Sequence, residues 1–68
     1  MVNALIYGGY LGIVAAKPLP DGSFTIHGVV GNGRGFTTTF ATWERHLTAD
    51  AALQAGIGWL KKRIDGTW

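Results

Sequence analysis

Ser23-Phe24-Thr25-Ile26-His27-Gly28-Val29-Val30 is followed by Gly31-Asn32-Gly33-Arg34-Gly35 and then by Phe36-Thr37-Thr38-Thr39-Phe40-Ala41-Thr42-Trp43. The two flanking stretches are rich in β-branched and aromatic residues, as strands are. Asn-Gly between them is a strong short hairpin signal, because both residues tolerate the positive φ that tight hairpin turns require. The segment therefore predicts two antiparallel strands joined by a turn.

Working outward, the hairpin is preceded by Pro18-Leu19-Pro20-Asp21-Gly22. Two prolines fix φ and Asp-Gly accepts positive φ, so this is a second turn. Before it, residues 10–17 read as the first strand, and Gly8-Gly9 suits a bend or bulge ahead of it. After the hairpin, Thr48 offers a hydroxyl to cap free backbone N–H groups, and Asp50 suits the positive end of a helix dipole. Leu47 is placed to act as a hydrophobic staple. Ala49, Leu53, Gly56, Ile57, Leu60 and Ile64 fall on one helical stripe, with Gln54, Gly58, Lys61 and Asp65 opposite. Gly66 is a natural stop.

The order of elements predicts one α+β domain spanning residues 1–68. It is a three-stranded antiparallel sheet, a β-β-β-α meander, with one C-terminal helix packed on one face. Alternation along strands puts Tyr10, Val14, Phe24, Ile26, Val30, Phe36 and Phe40 on one face. The other face carries Leu11, Ile13, Lys17, Thr25, His27, Val29, Thr37, Thr39 and Trp43. The first set is large and apolar. The expected core is Phe24, Ile26, Phe36 and Phe40 with Leu53, Ile57, Leu60 and Ile64.

Composition narrows the function classes. A domain near 68 residues buries only about 60% of its unfolded surface. There is no Cys, which removes disulfides, thiolate chemistry and Cys-based metal sites. Charged residues make up 15% of the chain, below the usual ~25%. A small chain with few charges has difficulty covering its apolar surface, and self-association is the simplest remedy. The net charge of +2 is weak evidence for nucleic acid. Residues 1–16 carry no charged side chain. They are broken by Asn3 and glycines, so a strand explains them better than a membrane span of about 20 apolar residues. They lack the basic start of a secretory signal. The expectation is a cytoplasmic protein with no membrane association.

No constellation of catalytic side chains stands out, and no enzyme or cofactor is expected. Gly31-Asn32-Gly33-Arg34-Gly35 is followed by a strand, whereas a phosphate-cradling loop needs a helix N-terminus directly after it. Asp21, Ser23 and His27 include the residue types of a hydrolase triad. Ser23 and His27 would stand about 13 Å apart along a strand, too far for a nucleophile and its base. His27 and His46 are too few for a zinc site, which normally takes three or four protein ligands. Lys61-Lys62-Arg63 is the only basic cluster. Cations near a helix C-terminus complement its dipole, and the three point in different directions.

Trp43, Trp59 and Trp68 are many tryptophans for so short a chain. Trp59 flanks the helix stripe. Trp43 shares the second sheet face with Leu11, Ile13, His27 and Val29, and one helix covers only one face of a sheet. These five residues are the candidate protein-interaction face. The favoured function is a non-enzymatic interaction module that self-associates, most simply as a homodimer, or binds another protein through the open face or an edge strand. The alternative is a nucleic-acid accessory protein using Lys61, Lys62 and Arg63 with Lys17 and Arg34.

Tyr7-Gly8-Gly9-Tyr10, the turn at residues 18–22, Phe40-Ala41-Thr42, and Trp59 with Ile64-Asp65 together resemble a group of small bacterial β-β-β-α proteins of uncharacterised function. The resemblance supports the layout and implies no activity. The layout is also similar to sheet-reading DNA-binding domains of the plant transcription-factor and integrase-arm type. Those place Arg and Trp along the exposed sheet, where this chain has Lys17 as its only strand cation.

Overall fold

The computed structural model describes residues 1–66, and Trp68 lies outside them. Four strands precede one helix: β1 (Val2–Tyr7), β2 (Tyr10–Pro18), β3 (Phe24–Gly31), β4 (Thr37–Ala41) and α1 (Ala49–Asp65). The sheet is an antiparallel meander in the order β1-β2-β3-β4. The expected α+β class, the antiparallel sheet and the C-terminal helix are all present, but the sheet has four strands rather than three.

The extra strand is β1. Gly8 and Gly9 are not a bulge within one strand. With φ of 57° and 82° they form a two-residue hairpin turn in which both central residues have positive φ. Tyr7 pairs with Tyr10, and the ladder runs back to Val2 opposite Ala15. The β2–β3 ladder runs from Leu11 opposite Gly31 to Pro18 opposite Phe24. No bulge at Gly28 reshuffles its faces.

Asn32 organises the turn between β3 and β4. Its Oδ1 accepts from the backbone N–H of Arg34 at 2.8 Å and of Phe36 at 3.2 Å. Amides that a phosphate loop would offer to an anion are thus taken up by the loop's own side chain. The β2–β3 turn is closed by Leu19 N–H donating to the Ser23 carbonyl at 2.8 Å.

Helix α1 lies over β1, β2 and β3. Thr48 caps it as expected, its hydroxyl accepting from Ala51 N–H at 3.0 Å. Gly66 ends it, donating its N–H to the Lys62 carbonyl at 3.0 Å. Leu47 does not act as a staple, for it is 91% exposed.

The buried core is Val14, Ala16, Ile26 and Val30 from the sheet, with Ala52, Leu53, Leu60 and Ile64 from the helix. Phe24, Phe36, Phe40 and Ile57 are only partly buried against it. The reason is the closeness of helix and sheet. A Cβ placed on Gly56 would stand 2.7 Å from Val14 Cγ1 and 2.8 Å from Ile26 Cδ1. That gap takes small and branched aliphatic side chains, so the phenylalanines pack around its margin. Phe36 meets Tyr10 edge-on at 6.2 Å, and Phe40 stacks on Trp59 at 5.0 Å.

Candidate interaction face

Because α1 occupies one side of the sheet, the odd-numbered residues of β2, β3 and β4 and the even-numbered residues of β1 face the opposite way. No element of the described chain covers them. The β1–β2 register sets Ile6 beside Leu11 and Ala4 beside Ile13, and the β2–β3 register sets Ile13 beside Val29. These side chains make a band across three strands. Ile6 is 83% exposed, Leu11 55% and Ile13 40%. Together with Tyr10 and Thr37 they line an open groove of about 490 Å3 whose floor runs to Gly31, Asn32 and Gly33. The hydrophobic effect makes such a band costly to leave in water.

The opposite end of the same face has a different character. Lys17, Thr25, His27, Ala41, Trp43 and Arg45 surround a second hollow. Trp43 is 95% exposed. Arg45 is held at 2.9 Å by the Asp21 carboxylate, itself in the β2–β3 turn. Asp21 also accepts from the Ser23 hydroxyl at 2.5 Å and from Ser23 N–H at 2.9 Å. These hydrogen bonds, helped by Arg45, hold the Asp21 carboxyl below its ordinary range. The Ser23 hydroxyl is thus engaged with Asp21, while His27 stands out on β3.

The five residues expected on the interaction face therefore divide. Leu11, Ile13 and Val29 are brought together in the groove. His27 and Trp43 lie at the far end with Lys17. Ile6 belongs to the groove and was missed, since β1 was not read as a strand. Its signal was present in Gly8-Gly9, the same kind of turn chemistry that marks hairpins elsewhere.

The basic residues are also dispersed. Lys61 sits on α1 with its ammonium 5.4 Å from the Tyr7 ring centroid. The Arg63 guanidinium lies 5.7 Å from the Trp59 ring. Lys61, Lys62 and Arg63 thus belong to the helix layer, Lys17 to the outer face of the sheet, and Arg34 to the β3–β4 turn. His46 lies in the connection before α1 and pairs with Phe24 through two backbone hydrogen bonds of 2.8 and 2.9 Å. Among the described residues no three His, Asp or Glu side chains converge as a metal site would require. Nor is any helix among them long and apolar enough to cross a membrane.

Edge strand β1 adds to the apolar character. It has six residues, no charge and no proline. Natural sheet edges usually carry such features to discourage pairing with another chain. No family model, no curated protein and no solved structure matches this chain.

Proposed function

We propose that the chain is a non-enzymatic interaction module that works by protein–protein contact through its open sheet face, either with a second copy of itself or with another protein. The observation that carries the reading is the uncovered band of Ile6, Leu11, Ile13 and Val29. An amphipathic sheet buries one face against its helix and leaves a polar face to water. Here one end of the outward face, across β1, β2 and β3, is apolar where it should be polar. Contiguous exposed apolar surface of this kind marks interaction sites in soluble proteins.

Fully burying a Leu or Ile side chain contributes about 1.5–3 kcal/mol. The groove offers three such side chains, already partly covered. That magnitude favours a reversible complex over an obligate one, because association itself costs at least several kcal/mol.

The test is a dilution series followed by amide chemical shifts, from millimolar to micromolar protein. Concentration-dependent shifts are expected at residues 4–6, 11–13 and 29, and their loss in Ile13→Asp. Shifts confined to α1 would count against the face, and none at any concentration would count against self-association through it.

A further inference from the structure

Resting on that reading, we infer that the occupant of the groove is Trp43 of a second copy, in a reciprocal dimer of two sheets packed face to face. Trp43 and the groove lie on the same face at opposite ends of the strands. A two-fold axis lying between the sheets and running across the strands exchanges those two ends. Each indole then covers the β4 side of the other copy's groove, at Thr37 and Gly31, and the contact is made twice.

The spacing supports this axis. Asn3, Val14, Gly28 and Phe40 form one level across the sheet. Trp43 lies three residues beyond Phe40, and Thr37 at the groove lies three residues before it. An axis at the Phe40 level therefore brings Trp43 over Thr37 of the other copy. It brings Ala15 over Ile13, His27 over Val29, and Lys17 over Leu11, where the aliphatic stem of the lysine can lie on the leucine with its ammonium in water. Aligned sheets of this kind pack about 10 Å apart, a gap filled by side chains from both. An indole is flat, large and apolar over most of its surface, which suits a groove with no charged lining residue.

Charge selects the same arrangement. Glu44 follows Trp43, and Arg34 lies in the turn beside Gly33 at the groove end. Both are exposed, and neither makes an ion pair among the described residues. The axis across the strands sets Glu44 of each copy against Arg34 of the other. An axis along the strands would instead bring Lys17 of one copy to the same end as Lys17 of the other, which like-charge repulsion opposes. Isologous contacts of this type close at two copies.

The experiment is sedimentation equilibrium of Glu44→Arg, Arg34→Glu and their equimolar mixture, with circular dichroism confirming the fold of each. Each variant alone turns two attractive rim pairs into repulsive ones. Its dimer Kd is expected to rise about tenfold at low salt, and less at high salt because such pairs are screened. Mixing the two variants restores both pairs in a heterodimer, so the mixture is expected to recover the wild-type constant. Trp43→Ala is expected to lose the dimer with its fold intact. A mixture no tighter than either variant alone would overturn the arrangement. If open-face shifts on dilution persist while the charge variants have no effect, the face stands and this geometry falls. If wild-type protein shows no association at all, this inference falls with self-association.

Discussion

The phenol of Tyr7 donates to the carboxylate of Asp65, 2.9 Å from either oxygen. The two residues are 58 positions apart in sequence. The contact ties the end of β1 to the last turn of α1, and the Lys61 ammonium over the Tyr7 ring closes the same corner. It is a side-chain link between the edge strand and the helix, and it helps hold Ile6 in place on the opposite face.

This contact has a pH signature. The hydrogen bond to Asp65, with some burial and the carboxylate's charge, raises the Tyr7 pKa above its ordinary 10.0. A group whose folded pKa is raised stabilises the fold at pH below its unfolded value, and loses that contribution as pH rises through the folded value. The expected loss therefore begins above pH 10. Titration of the Tyr7 ring by NMR is expected to show a lower midpoint in Asp65→Ala than in wild type. An unchanged midpoint would mean that the hydrogen bond does not persist in solution.

The two glycines inside α1 are expected to respond in opposite ways to alanine. At Gly58 a Cβ would meet nothing within 4 Å, so only the helix-propensity gain remains. Gly58→Ala is expected to stabilise by about 0.5–1 kcal/mol, or several degrees in Tm for a domain this size. At Gly56 the added methyl would press on Val14 and Ile26. Gly56→Ala is expected to destabilise, by about 1–3 kcal/mol if the core resists as overpacked cores do. Thermal unfolding of both variants checks the pair.

Much of this fold was legible because its turns carry their own chemistry. Asp21-Gly22 and Asn32-Gly33 marked two turns, and Thr48 marked the helix start. The alternating four- and three-residue spacing of Leu53, Ile57, Leu60 and Ile64 marked the helix. β1 was harder to read for a physical reason. A strand is recognised by alternation of apolar and polar residues, and alternation arises when one face meets water. Val2, Ala4 and Ile6 point outward and yet are apolar, so the pattern is absent where the candidate site lies. The core was partly misjudged because Phe24, Phe36 and Phe40 are the largest apolar side chains on their face. Only the helix–sheet distance, set by Gly56 against Val14 and Ile26, sends them to the margin.

Nucleic acid is expected to bind weakly and without sequence preference. Lys17 lies on one layer of the domain and Lys61, Lys62 and Arg63 on the other, with Arg34 in a turn, so one phosphate backbone meets few of them together. Each neutralised phosphate of B-DNA contributes a salt slope of about −0.9. The expected slope therefore corresponds to only about one to three contacts. Tight, sequence-selective binding in an anisotropy titration at near-physiological salt, lost on changing Lys61, Lys62 and Arg63 to Ala, would instead make the helix layer a nucleic-acid surface.

The central claim, that the open sheet face drives association, is tested most directly by sedimentation equilibrium of wild type and Ile13→Asp from micromolar to millimolar loading. The weight-average mass of wild type is expected to rise from the 7.3 kDa of one chain toward twice that value. Ile13→Asp, folded by circular dichroism, is expected to remain at the mass of one chain throughout. Wild type that stays at 7.3 kDa at the highest loading, or a variant that associates as strongly as wild type, would contradict the claim.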